Sequence, residues 1–289
     1  MKKLFLLIVA LCFLAIGCEK EGVYNPDKKI KRVFLQEENG EKYLSQEWSW
    51  EKNLLKKIQY HSPYYHSWEE NYFYKKNRLE KVEQNNGNNW KITYKGNAYE
   101  KVEFFEVQGT KLLSAEFTYE KKRVSKVLLT FYSYDVNYLT KMLNGGFMAN
   151  LFPREILKSI DNSITKSKSK SDSFIYTITF TYDKNNIKER VIEYSEEGYT
   201  MKTSHKFEKY DNKSNPLYRF YSQFGVTDFV FSKNNPLEIT VEFSEIEDGY
   251  SDTERYTITF DYLYNDKFPT VVKYIEDGYP IDITFYEYE

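Results

Sequence analysis

The sequence predicts an all-β protein, an up-and-down antiparallel meander of repeated hairpins that is barrel-like or forms one large curved sheet. Three observations carry that expectation. Tyr and Phe number 28 and 21 among 289 residues, and aromatic side chains suit a pleated, half-buried surface. A strand-turn-strand unit recurs eight times. A second, chemically different turn family appears between the copies, as an up-and-down path requires.

The chain opens with Met1-Lys2-Lys3, an apolar block from Leu4 to Ile16, and Gly17-Cys18. A basic start followed by a short apolar run is the pattern of a secretory signal, expected here over residues 1–17. The block is shorter than the roughly 20 residues that a spanning helix needs. Ala15-Ile16-Gly17-Cys18 resembles the lipobox of bacterial lipoproteins, which implies cleavage before Cys18, acylation of its sulfur, and a membrane reached through lipid. The other cysteine, Cys12, lies in the segment to be removed. A mature chain then has no disulfide, thiolate nucleophile or cysteine metal site. Two or more acyl chains suffice for stable anchoring where one is marginal.

Residues 18–29 hold Gly22, Asn25, Pro26 and several charges without periodicity, and read as a tether between lipid and domain. Residues 30–289 read as one β-repeat domain. Its charge is nearly balanced, with 41 basic and 43 acidic residues, and losing Lys2 and Lys3 makes it slightly more acidic. No basic stripe is present, so nucleic acid is excluded as an expected partner.

The repeat is clearest at Phe180-Thr-Tyr182-Asp183-Lys-Asn185-Asn-Ile187-Lys-Glu-Arg-Val191. Earlier copies start at Trp48, Tyr72, Ile92 and Phe117, and later ones at Phe207, Phe229 and Phe260. Aromatic residues at alternate positions give the incoming strand one apolar face. A Lys, Asp and Asn cluster makes the tight turn, and Leu or Val restarts the alternation. The second turn family is Glu196-Glu197-Gly198-Tyr199, Glu247-Asp248-Gly249-Tyr250 and Glu276-Asp277-Gly278-Tyr279. An acidic residue before glycine suits a hairpin loop, and in a meander the two families belong at opposite ends of the sheet. These acidic tips read as solvated turns, since none has the spacing of a calcium loop.

One interruption falls at about 135–172. Leu139, Met142, Leu143, Ile156, Leu157, Ile160 and Ile164 have helical spacing, Gly145-Gly146 and Pro153 divide the run, and a short helical insertion is expected. It ends in the polar strip Thr165 to Ser173.

The aromatic-x-Tyr-Asp-x-Asn-x-Leu pattern resembles the tyrosine-aspartate repeats of Rhs-type proteins, which build β shells. Together with the lipobox and with Tyr210-Asp211-Asn212-Lys213 leading to Asn215-Pro216-Leu217, it looks like the lipoproteins of Bacteroidetes-type bacteria, in the family described as a domain of unknown function with a porin-like fold. The resemblance implies the fold, an outer-membrane location facing the periplasm or the cell surface, and no catalytic residue. Lys75, Lys95 and Ser232 stand where that pattern has Asp.

Strands such as Tyr256-Thr-Ile258-Thr-Phe260-Asp-Tyr262 carry one apolar and one polar face. That suits a soluble barrel with aromatics inside or a membrane-inserted β-barrel with aromatics outside. The soluble form is expected, because a spanning protein gains little from a lipid anchor and the chain ends on Tyr288-Glu289 instead of an aromatic.

Two of the three histidines, His61 and His66, flank Tyr64 and Tyr65, with Trp68, Glu69 and Glu70 behind them. His61, Tyr64, Tyr65, His66 and Trp68 form a candidate ligand platform for a glycan, since sugar faces stack on aromatic rings. The competing reading is a hairpin whose rings are cross-strand core pairs. A metal site from His61, His66 and Glu69 lacks helical i,i+4 spacing and a third strong ligand. No nucleophile elbow or phosphate loop occurs, and Glu193 with Glu196 is a pair that 43 carboxylates supply by chance. The expected function is a non-enzymatic binding or assembly module without cofactor, recognising a glycan or an envelope protein. A carbohydrate-active accessory protein and a membrane-inserted barrel are the alternatives.

Overall fold

The structure is a computed structural model that describes residues 22–37, 40–63, 67–132, 173–196, 198–220 and 230–289. Its strands are β1 (Ile30–Glu37), β2 (Tyr43–Glu51), β3 (Leu54–Tyr60), β4 (Trp68–Lys75), β5 (Arg78–Gln84), β6 (Asn89–Lys95), β7 (Ala98–Phe105) and β8 (Lys111–Glu120), followed by β9 (Arg123–Tyr132), β10 (Ser173–Asp183), β11 (Asn186–Glu196), β12 (Tyr199–Tyr210), β13 (Pro236–Glu247), β14 (Tyr250–Asn265), β15 (Phe268–Glu276) and β16 (Tyr279–Tyr288). Each pairs antiparallel with its sequence neighbours, and β1 pairs with β16, so the sixteen strands close into a barrel. Closure leaves no edge along the shared height of the wall. The expected all-β meander is what forms. The helical insertion expected at about 135–172 lies outside the described residues.

An up-and-down path puts the repeat turns at one end, here the lower end, with the start of β1, the end of β16, the end of β12 and the start of β13. The acidic-glycine turns lie at the upper end, as do His61, Trp68, the end of β9 and the start of β10. The expected separation of the turn families is borne out. At the upper end Asp248 and Gly249 both have positive φ, 47° and 86°, the geometry of a two-residue hairpin turn whose twist matches that of the strands.

The spacing of the repeat encodes a β-bulge. In β5 Leu79 and Val82 are both buried, with Glu80 and Lys81 between them, and Tyr74 pairs with Leu79 while Phe73 pairs with Lys81. One extra residue, Glu80, keeps both apolar side chains on the inner face. The same slip occurs at Lys56, Glu100, Ser125, Lys188 and Thr270. It occurs again between β16 and β1, where Ile30 pairs with Tyr288 and Arg32 with Glu287. The barrel therefore closes through one more hairpin of the repeat, cut open by the chain termini.

Beyond the bulge, ladders between successive hairpins stop. The β5–β6 ladder, for example, ends at Lys81–Lys91. In most copies a second aromatic bridges the gap. Tyr182 donates its hydroxyl to Val124 O (2.9 Å), Tyr210 to Ile187 O (2.8 Å), Tyr262 to Pro236 O (2.9 Å) and Tyr288 to Pro269 O (2.7 Å). Tyr94 donates to Leu79 O, Trp50 Nε1 to Ile30 O at 2.8 Å, and Tyr119 accepts from Tyr99 N at 3.0 Å. These latches satisfy backbone groups that the interrupted ladder would leave unpaired.

Two copies depart from the expected strand-turn-strand form. Those starting at Phe207 and Phe229 share the β12–β13 pair, and their tight turn is replaced by the connection 211–235. Described parts of that connection turn inward, with Phe220 against Trp48 (ring centroids 4.7 Å) and Phe231 edge-on to Phe180 (5.4 Å). Asp211 accepts from Lys213 N, Asn235 N and Asn235 Nδ2, each at 3.0 Å, and from the Tyr264 hydroxyl. Within the stretch read as a tether, Tyr24 is buried between Trp50 and Phe220 and donates to Pro216 O at 2.6 Å.

Inner positions are mostly apolar or aromatic, among them Ile58, Val82, Trp90, Leu113, Val127, Ile178, Ile192 and Ile239. Outward positions carry charge. Arg32 meets Glu47 (3.1 Å) and Glu287 (3.8 Å), Lys101 meets Glu103 (3.4 Å) and Glu116 (3.1 Å), and Lys202 meets Glu193 (3.2 Å).

Candidate functional site

Of the residues expected to matter, Cys18, Tyr64, Tyr65 and His66 lie outside the described residues. His61 and Trp68 lie at the upper end. Trp68 stands opposite Tyr60 on the neighbouring strand, and their rings stack at 4.8 Å and 8°. His61 Nε2 lies 3.5 Å from Glu47 Oε2. Trp48 and Trp90 are buried, and Trp50 and Trp68 pack half-buried against the same core. The tryptophans thus take part in core pairs on the inner face.

Glu69 and Glu70 part company because strand neighbours face opposite ways. Glu69 meets Lys57 outside at 3.4 Å, while Glu70 is wholly buried and accepts from the hydroxyls of Tyr60 (3.1 Å) and Tyr72 (3.0 Å). Burial first, then the Glu70 charge, pushes both phenols well above their usual range, so both stay neutral donors. Glu193 and Glu196 also face opposite ways, Glu193 outward to Lys202 and Glu196 on the face of Tyr199. They form no acid–base couple. Among the described residues no group of three or more His, Cys, Asp or Glu could hold a metal ion.

On the inner face Arg190 and His205 are cross-strand neighbours with no exposure. Burial, and then the Arg190 charge, holds the imidazole well below its ordinary value of 6.5. His205 is therefore neutral at physiological pH.

A concave site lies among the described residues. A cavity of about 140 Å³ opens between the inward-turned connection and the wall formed by β14, β15 and β16. Phe260, Tyr262, Tyr274 and Tyr286 line it, with Asp282 and Thr284 as polar groups. Alternation places these side chains: even-numbered residues of β14 and β16 point inward, and the bulge at Thr270 brings Val272 and Tyr274 to the same side. Phe260 meets Tyr274 edge-on at 5.6 Å. Tyr262 is fixed by its latch to Pro236. Burial and then the Asp282 charge push the Tyr286 phenol up to about 12. The cavity offers ring faces, neutral hydroxyls and one carboxylate, which suits holding a small polar ring. Sequence reading missed it, because its residues come from two hairpins and a connection that only closure brings together.

Neither a family model nor a curated protein matches this sequence. Among solved structures, the chain is similar to the crystal structure of a porin-like protein from Bacteroides uniformis ATCC 8492. The TM-score is 0.52 at 10% identity, over 94% of this chain and 100% of that one. A porin-like protein from Bacteroides vulgatus ATCC 8482 matches with a TM-score of 0.40 at 9% identity, over 91% and 99% of the two chains. The first likeness is one of fold and agrees with the porin-like architecture expected from the repeats.

Proposed function

We propose that this chain is a lipid-anchored protein of the bacterial outer membrane whose barrel lies in water and acts as a non-enzymatic binding or assembly module. The observation that carries the reading is which way the strands face. A lipid-facing wall needs an apolar outer band, and Arg or Lys at mid-depth costs about 2–4 kcal/mol each. Here the outer face bears the Arg32, Lys101 and Lys202 ion pairs, and Phe73, Ile175 and Leu263 are scattered exceptions. The aromatic face is turned inward, and the inward-turned connection and Tyr24 occupy the lower end.

Anchoring at Cys18 would set the lower end toward the membrane, since the chain enters the barrel there. Metabolic labelling with a palmitate analogue should mark the protein and fail on Cys18→Ala; label retained on that variant removes the anchor from the reading. A Cys18→Ser chain without its signal should stay soluble without detergent, and aggregation that detergent reverses would point to an inserted barrel.

The ligand reading rests on the tyrosine-lined cavity more than on Trp68, whose ring is already stacked on Tyr60. A glycan array compared between the intact protein, Trp68→Ala and Tyr286→Ala separates the two. Binding lost only with Tyr286 places the ligand in the cavity, and no binding by the intact protein ends the carbohydrate reading.

A further inference from the structure

The barrel wall is uneven in height, and its tallest step bares a strand edge. β14 pairs with β13 from Tyr250 to Thr259, but its ladder with β15 begins only at Ile258–Glu276. Tyr250 to Arg255 are all exposed, and no described strand pairs with their outer edge. The β13–β14 turn closes on Glu247–Tyr250, so by the antiparallel alternation Tyr250, Asp252 and Glu254 turn their backbone groups to β13. Ser251, Thr253 and Arg255 turn theirs to the bare side. Two carboxylates already stand where a partner strand's carbonyls would lie: Asp277 Oδ1 accepts from Thr257 N at 2.9 Å and Asp252 Oδ1 from Thr253 N at 2.8 Å.

We propose that this edge, from Ser251 to Arg255, is a strand-addition site for an extended segment of another polypeptide that carries lysine or arginine at alternate positions. Such docking gains affinity from main-chain hydrogen bonds and specificity from alternate side chains. Register puts Asp252 and Glu254 on one face, together with Glu245 and Glu247 of β13. Basic side chains on that face of the added strand meet carboxylates. A second copy of this chain fits worse. Twofold pairing about Thr253 sets Asp252 against Glu254 on both sides of the axis, and like charges directly opposite are destabilising.

The test uses the full-length chain in mild detergent and two capped seven-residue peptides, one alternating threonine with lysine and one alternating threonine with glutamate. Fluorescence anisotropy should show binding of the lysine peptide alone. Amide exchange should slow at Ser251, Thr253 and Arg255 when that peptide is bound. Thr253→Pro removes a donor on the bare side and leaves the β13 ladder whole, and should weaken binding at least tenfold with the thermal midpoint kept. Asp252→Lys with Glu254→Lys should reverse the preference between the peptides. Equal binding of both peptides, binding that Thr253→Pro leaves intact, or no binding overturns the proposal. So does a dimer in sedimentation that Thr253→Pro dissolves, since the edge then belongs to a second copy.

Discussion

At the scale of single residues, a tyrosine that latches a repeat is set apart from phenylalanine by its hydroxyl. Tyr182 reaches Val124 O across the gap where neighbouring ladders end. Tyr182→Phe keeps the ring and removes that bond, and should cost about 1 kcal/mol in a denaturant titration. An unchanged midpoint would mean that water already serves the carbonyl. The aromatic alternation and hence the apolar face were readable at this position, but the role of the hydroxyl was not, because its partner sits 58 residues earlier. His205 gives a second residue-level prediction. Its folded pKa lies below the ordinary value near 6.5, so the unfolded chain takes up a proton that the folded chain refuses. This residue's support is complete above about pH 6.5 and declines below it, by up to about 1.4 kcal/mol per pH unit. His205→Gln should flatten the fall in denaturant midpoint between pH 7.5 and 5.5, and equal slopes in the two proteins would refute the assignment.

At the scale of elements, the bulge explains the apolar-x-x-apolar step that follows each turn. Leu79 to Val82 is three residues, an odd spacing that in a regular strand would send the two side chains to opposite faces. Recurrence of that odd step in the sequence was the signal for the bulge. Turns were legible in position and less so in chemistry. Lys121 and Lys122 hold φ of 48° and 68°, a conformation that costs a non-glycine residue roughly 1–2 kcal/mol. Replacing them with Asn and Gly should raise stability by about 1 kcal/mol, read as a higher thermal midpoint; a lower one would show that the two lysines make compensating contacts. The copies at Phe207 and Phe229 show the limit of local reading. Each has hairpin grammar, yet the Asp211 hydrogen bonds tie Lys213 and Asn235 together where a tight turn was expected.

For the whole molecule, closure is the decisive event. Glu289 N bonds Lys29 O at 3.0 Å, so the termini occupy the places that Lys75 and Arg78 hold in an unbroken hairpin. A circular permutant that joins Glu289 to Lys29 through Asn-Gly and opens between Lys121 and Lys122 should regain the parent's circular dichroism spectrum, and an unfolded product would show that closure depends on more than the split hairpin. The segment before Lys29 has a packing role as well. Tyr24→Ala in the parent should cost about 3 kcal/mol, because it empties a site between Trp48, Trp50 and Phe220. A loss under 1 kcal/mol would mean that the lower end collapses to fill the space. The sequence by itself determined what is local and periodic: the strands, the two turn families at opposite ends, and the division of each strand into an apolar and a charged face. Only the tertiary structure decided that the first and last strands pair, that the aromatic face is the inner one, and that one connection folds inward to leave a tyrosine-lined cavity. Those outcomes depend on contacts between residues far apart in the chain, and a two-residue period is equally satisfied whichever face is turned to water.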